Sequence, residues 1–460
     1  MAKVKSKWIC QQCGYESAGY LGKCPECGSW SSFVEEVQSS LKPQNISPQG
    51  IVNDTKPSLI NDIHIGEEVR ISTNISEFDR ILGGGLVKGS LILIAGDPGI
   101  GKSTILLQTS GELAKSGQKI LYVSAEESAS QLKLRANRLG VNSDNLYVYP
   151  QTNLESIRKQ IEELNPDMIV IDSIQAIYSQ TITSSAGSVS QIRECCNILM
   201  QIAKTRNITT IVIGHVTKDG NIAGPKILEH MVDTVISFEG DKYKSYRMLR
   251  SMKNRFGNTS EVGIFEMQAK GLVEVKNPNE LFLNERSQDA IPGSAIIVTN
   301  EGTRPLLVEI QALVGTTPYP TPRRVTNGVD NSRLLQILAV LEKRVGLNLS
   351  KQDVYINVMG GIEIDEPSAD LGIALAIATC ARDVVVDSQT VIIGEIGLSG
   401  EIHPVNNIEK RLNEAVTSGF KKAIIPYANR SAQNEKIQIV PVKRLIDAIT
   451  ACVTPEKTTI

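Results

Sequence analysis

One nine-residue segment, Gly96-Asp97-Pro98-Gly99-Ile100-Gly101-Lys102-Ser103-Thr104, constrains this chain more than any other. It follows the apolar run LILIA and opens the helix-like stretch TILLQTSGELAKSG. The spacing G-x4-G-K-[ST] between a strand and a helix is that of a loop wrapped around phosphates. Gly96, Gly99 and Gly101 let backbone N–H groups turn inward, and a helix starting near Lys102 aims its positive dipole end at the same point. Lys102 is expected to reach the β- and γ-phosphates of ATP, with the Ser103 hydroxyl on Mg²⁺. The surrounding pattern agrees. The short β-branched runs Leu91–Ala95, Ile120–Val123, Met168–Ile171 and Thr209–Ile213 alternate with helix-like segments, as in a parallel sheet covered by helices.

In such sheets ligands collect at the carboxyl ends of the strands, so the residues there are the candidates for chemistry. Asp172 closes the strand MIVID and is expected to be the second anchor of Mg²⁺. Glu126 and Glu127 follow the strand ending Tyr122-Val-Ser. One of them would polarise the attacking water; Glu126 is preferred, and the sequence alone leaves Glu127 open. His215 follows TTIVIG, as a γ-phosphate sensor or as an ordinary loop histidine.

Four of the eight cysteines form a separate signal. Cys10, Cys13, Cys24 and Cys27 are spaced C-x2-C-x10-C-x2-C, with Gly14, Pro25 and Gly28 where the turns of two zinc knuckles need them. This reads as a four-thiolate Zn²⁺ site. Cys195, Cys196, Cys380 and Cys452 are scattered and read as small buried hydrophobes.

A chain of 460 residues suggests several domains. The expected division is a zinc module at 1–32, a linker at 33–65, an α/β ATP-binding domain at 66–276 and a further domain at 277–460. The linker assignment rests on Pro43, Pro48 and Pro57 among Ser, Asn and Gln, a composition that cannot bury a core. The basic start MAKVKSKWIC is not followed by an apolar run, and no run is long enough to span a bilayer, so a cytoplasmic protein without membrane contact is expected. A net charge of −2 excludes a protein that coats nucleic acid by bulk charge. Any such contact must be local. One candidate is the run Lys242, Lys244, Arg247, Arg250, Lys253 and Arg255, which contains no acid and interleaves Tyr243, Tyr246 and Phe256. Cations mixed with aromatics suit phosphates and stacked bases. The closing Lys253-Asn-Arg-Phe-Gly257 also suits a finger that reaches a neighbour's γ-phosphate.

These segments together resemble the RadA (Sms) family of bacterial DNA repair proteins. The resemblance rests on the four-cysteine module, Phe78-Asp-Arg-Ile-Leu-Gly-Gly-Gly85, GDPGIGKST, VSAEES, VIDSIQ and KNRFG, and it covers essentially the whole chain. It implies a RecA-like core with a mostly parallel sheet, a homo-hexameric ring with ATP between subunits, and a zinc ribbon. It also implies binding of single-stranded and branched DNA, ATP-driven branch migration, and co-operation with the recombinase RecA.

The region 277–460 resembles the α+β proteolytic domain of Lon proteases. The nucleophile position of that domain falls on Ser368, within Glu366-Pro-Ser-Ala-Asp370, and the lysine position on Glu409, beside Lys410. A serine needs a neighbouring base, which a carboxylate at 409 does not replace. Ser368 is therefore expected to cap the helix Ala369–Ala381 in a scaffold domain. Arg323 and Arg324 follow the exposed-looking loop TTPYPTPRR and are the expected DNA contacts there. They form a narrow one, since 276–460 holds 19 basic against 21 acidic residues. The leading reading is thus a DNA-dependent ATPase of recombination and repair. An ATP-dependent protease and a clock-kinase-type signalling ATPase are the alternatives.

Overall fold

The computed structural model describes residues 5–10, 14–38, 59, 70–216, 222–223, 227–240, 246–283 and 291–452. The chain divides into two compact units, 1–276 and 277–460.

At the start of the first unit, Lys5–Cys10 lies between Glu16–Ser17 and Phe33–Gln38 in a three-stranded antiparallel sheet. The zinc module therefore runs on to Gln38 rather than ending at 32. Six backbone pairs from Lys5↔Gln38 to Cys10↔Phe33 recruit a segment too polar to be read as a strand from its composition. The remainder of the expected linker, apart from Leu59, lies outside the described residues.

The core of this unit is one large sheet. Its main strands are β1 (Leu91–Gly96), β2 (Ile120–Ser124), β3 (Leu146–Tyr149), β4 (Met168–Asp172), β5 (Thr209–Val216), β6 (Thr234–Glu239), β7 (Tyr246–Asn254), β8 (Val262–Gln268) and β9 (Gly271–Glu274), with the two-residue strand Ile222–Ala223 paired to the end of β5. They lie in the order β9-β8-β7-β6-β1-β5-β4-β2-β3. Pairing is parallel from β6 to β3 and antiparallel from β6 to β9. Alternation along β1 assigns the two faces. Ile92 and Ile94 pack with Ile105, Leu106 and Leu132 on one side; Leu91 and Leu93 pack with Ile157, Ile161, Cys195 and Leu199 on the other. Helices consequently cover both faces, and each fully buried Leu or Ile contributes about 1.5–3 kcal/mol. Cys195 and Cys196 are core residues whose thiols burial pushes up to about 12, so they stay protonated.

The second unit is a seven-stranded mixed sheet in the order Arg324–Asn327, Gln352–Val358, Arg304–Thr316, Ser294–Glu301, Thr390–Ile392, Lys422–Pro426, Gln438–Val442. The helix Asp370–Arg382 is buried from Asp370 through Thr379. A Cβ at Gly372 would stand 2.1 Å from Ile297 Cγ2, so only glycine lets this helix lie so close to the strand.

Candidate active site

The parallel register aligns the strand ends. Gly96 pairs with His215, and Ser124 pairs with Asp172, which sets the P-loop, the aspartate, the glutamate segment and the histidine along one edge of the sheet. In the loop itself Gly99 and Gly101 hold φ of +78° and +124°, in the region that side chains disfavour. A Cβ at Gly96 would meet the Phe238 carbonyl oxygen at 2.7 Å. The loop turns directly into the helix Lys102–Lys115, whose first N–H groups stay open toward the cradle.

Lys102 is only 4% exposed, and its Nζ donates to the carbonyls of Gly96 and Asp97, both at 2.8 Å. Burial draws its pKa down, against the support of Asp172, Asp97 and Glu126. A buried ammonium resting on its own loop suits a phosphate-binding role. Asp172 is held from behind, where the fully buried Tyr122 donates its hydroxyl to Oδ2 at 2.8 Å. Burial and the adjacent Asp172 carboxylate raise the Tyr122 pKa well above its ordinary value.

The two glutamates separate clearly. Glu127 is ion-paired with Arg135. Glu126 accepts from the Ser173 hydroxyl and lies 3.3 Å from His215 Nε2. Burial pushes the Glu126 pKa up, but the hydrogen bonds from Ser173 and His215 outweigh it, leaving the group below the ordinary carboxylate value. Tyr122 and Ser173 escaped the sequence reading. The available signal was a tyrosine inside an apolar strand, whose hydroxyl needs a partner when buried.

The KNRFG segment lies elsewhere. Asn254 pairs with Thr234, which pairs with Ile92 at the start of β1, whereas the P-loop leaves the far end of that strand at Gly96, beside Phe238. Four residues of strand, roughly 13 Å, separate the two ends. Lys253 donates to the carbonyls of Glu229 (2.7 Å), His230 (3.4 Å) and Val232 (2.9 Å), closing the C-terminal end of the short helix Ile227–Met231. These carbonyls hold its ammonium at the helix end, as those of Gly96 and Asp97 hold the ammonium of Lys102. Arg255 is exposed and lies 3.3 Å from Asp233 Oδ1. Arg247 is buried against the Ile100 carbonyl at 3.2 Å. Lys242 and Lys244 lie outside the described residues.

In the second unit, Ser368 does not cap a helix. Neither the turn Pro367–Ala369 nor the helix after it starts with a side-chain cap. Its hydroxyl instead accepts from Arg411 Nη1 at 3.1 Å. The residue facing the serine is therefore Arg411, two positions beyond Glu409, and a guanidinium stays protonated and cannot act as a base. Arg323 is exposed, with its guanidinium 4.1 Å from the centre of the Tyr319 ring. Arg324 is not free as expected: it donates to the carbonyls of Gln352, Leu349 and Arg323.

In the N-terminal module the Sγ atoms of Cys10, Cys24 and Cys27 lie within 4.8 Å of one another. Gly14 N bonds to Cys10 O at 2.8 Å and Gly28 N to Cys24 O at 2.9 Å, the turn of a zinc knuckle in each case. Cys13, the fourth expected ligand, lies outside the described residues. Three converging thiols on two such turns fit Zn²⁺.

A P-loop at the end of a mostly parallel sheet, with an aspartate and a glutamate on the adjoining strand ends, defines a P-loop ATPase of the RecA-like class. Family models agree along the chain: residues 8–35 match "Rubredoxin metal binding domain", 67–221 "AAA domain" and 326–429 "Subunit ChlI of Mg-chelatase". The chain belongs to the family of the DNA repair protein RadA. It is 51% identical over 453 residues to the RadA of Bacillus subtilis (strain 168), covering 98% of this chain and 99% of that protein. It is 53% identical over 427 residues to the RadA of Streptococcus pyogenes serotype M1, covering 93% of each. A crystal structure of a KaiC-like protein from Pyrococcus horikoshii OT3 covers 45% of this chain and 98% of its own, at a TM-score of 0.39 and 23% identity. The protein is thus a DNA repair and recombination ATPase that uses ATP, Mg²⁺ and Zn²⁺. Among the described residues no helix is long and apolar enough to cross a membrane.

Proposed function

We propose that this protein is a DNA-dependent ATPase motor that drives branch migration of recombination intermediates in the cytoplasm. It works on single-stranded and branched DNA together with the recombinase RecA, as a homo-hexamer with ATP between subunits. The observation that carries this reading is the register of the core sheet. Arg255 and the P-loop of one chain stand at opposite ends of the same strands, so the arginine cannot serve the nucleotide of its own chain. A cation fixed there is useful to the γ-phosphate held by the next subunit, or to a DNA phosphate.

Within one site, Lys102 moves from its loop carbonyls to the β- and γ-phosphates, and Ser103 and Asp172 would hold Mg²⁺, which would supply neutralisation of developing charge. Gly96, Asp97, Pro98, Gly99, Ile100, Gly101 and Thr104 complete the cradle. Glu126 takes the proton of the attacking water; its carboxylate is kept ionised by Ser173 and His215, the state a general base requires. Tyr122 fixes Asp172. Arg323 is the DNA contact of the second unit, and Arg324 holds the backbone that presents it.

One assay tests the reading: ATP hydrolysis with and without single-stranded DNA, run beside casein degradation and detection of phosphoprotein. Hydrolysis stimulated by DNA, with neither of the other activities, is the expected result. Casein cleavage or autophosphorylation without DNA stimulation would replace the motor by one of the alternatives.

A further inference from the structure

One face of the second unit's sheet is only half covered. Leu307, Glu309, Gln311 and Leu313 of the strand Arg304–Thr316 share that face, because alternate side chains of a strand point the same way. At one end Leu307 packs with Val298, Leu412 and Ala415, the last two from the helix Ile408–Thr417. Ile296, the cross-strand partner of Glu309, still belongs to that core. Further along, Gln311 stands between Ser294 and Asn357, and Leu313 stands beside Tyr355. These residues and Glu309 line a cavity of about 400 Å³, large enough for a small molecule. Glu309 lies where core meets cavity and is only 8% exposed. Its Oε1 accepts from the Ser294 hydroxyl at 2.6 Å and from Gln311 Nε2 at 3.1 Å. Its Oε2 has no partner among the described residues and keeps access to the cavity.

We propose that this cavity binds a small aliphatic amine, whose ammonium donates to Glu309 Oε2 while its carbon chain covers Leu313 and Tyr355. Charge selects the ligand's head. Glu366 in the same unit has Arg411 as its counter-ion, whereas among the described residues no lysine or arginine pairs with Glu309. A carboxylate drawn out of water on these terms is completed by a cation, through a charge-assisted hydrogen bond. An anion would meet its uncompensated charge, so the ligand differs in kind from the phosphates of the nucleotide site. Apolar surface selects the tail. Leu313 is 63% exposed on the cavity wall, and an alkyl chain laid against it leaves water with it. Ser294 and Gln311 fix the carboxylate before the amine arrives, which lowers the ordering cost of binding.

The test uses the full-length protein in isothermal titration calorimetry with methylamine, n-pentylamine and, as the uncharged counterpart, n-pentanol. n-Pentylamine should bind saturably, one molecule per chain, and n-pentanol more weakly by about tenfold or more. Glu309→Gln keeps an oxygen for Ser294 and Gln311, so it should melt like wild type yet lose n-pentylamine affinity by about tenfold or more. In the wild type n-pentylamine should exceed methylamine by about fourfold for each methylene that the cavity buries. Leu313→Ser should shrink that advantage and leave methylamine binding as it was. Because Leu313 is exposed, this comparison does not depend on how the Glu309 variant folds. Sedimentation of wild type and Glu309→Gln addresses the other source of an ammonium, a lysine of a second copy of this chain. Absence of saturable n-pentylamine binding would overturn the proposal, as would equal binding to wild type and Glu309→Gln, or n-pentanol binding as well as the amine. A Glu309→Gln chain that sediments as a smaller species, with no amine bound by wild type, would overturn it in favour of that lysine.

Discussion

Arg411 shows how one buried side chain can settle what a site does. It is fully buried, and it donates to the carbonyls of Val298 (2.6 Å) and Asn406 (3.0 Å) and to Ser368 Oγ (3.1 Å) while pairing with Glu366. Burial pushes the Glu366 pKa up, yet the hydrogen bond and charge of Arg411 hold it below the ordinary 4.5. A depressed carboxylate adds stability that is present above its ordinary pKa and lost as the pH falls through the folded value. Glu366→Gln should therefore lower the melting temperature of the second unit at pH 7 by roughly 6–12 °C, because a buried guanidinium loses its counter-charge, at about 3 kcal/mol. The difference from wild type should shrink below about pH 4.5. A pH-independent difference in differential scanning fluorimetry would contradict the pairing. Ser368→Ala removes one hydrogen-bond acceptor and should cost about 1 kcal/mol, with ATP hydrolysis unchanged; peptidase activity that vanishes in this variant would contradict the assignment. Sequence reasoning found the serine but not its partner. Arg411 is 43 positions away in the chain, and only the packing of the helix Ile408–Thr417 brings it to the serine.

Among elements, the zinc module and the P-loop differ in how much of each the sequence reveals. The P-loop was legible because its determinants, three glycines, a lysine and a serine between strand and helix, are contiguous. The cysteine spacing was legible for the same reason. The strand Phe33–Gln38 was not, since its existence depends on pairing with Lys5–Cys10 rather than on its own composition. The position of KNRFG was hidden likewise. Its motif is local, but its distance from the P-loop follows from the antiparallel register of β6 and β7. Cys27→Ser tests the small element. It should lose stoichiometric zinc by atomic emission and unfold the module up to Gln38, because so small a fold depends on its metal. Basal ATP hydrolysis should persist in the core. Purified wild-type protein without zinc would contradict the site.

At the scale of the whole molecule, one chain carries only part of the proposed active site. Lys102, Asp172 and Glu126 lie at one end of the core sheet and Arg255 at the other, so the proposed function draws on two copies of the chain for each nucleotide. Lys102→Ala should abolish hydrolysis without changing the melting profile, since its ammonium serves phosphate and not the core. Arg255→Ala should be inactive by itself for the opposite reason, with its cradle intact and its contribution to the neighbour missing. The most direct test is to mix these two inactive variants and measure ATP hydrolysis. Activity should return, in proportion to the interfaces that join an intact P-loop to an intact Arg255. Co-assembled mixtures that stay inactive would contradict it.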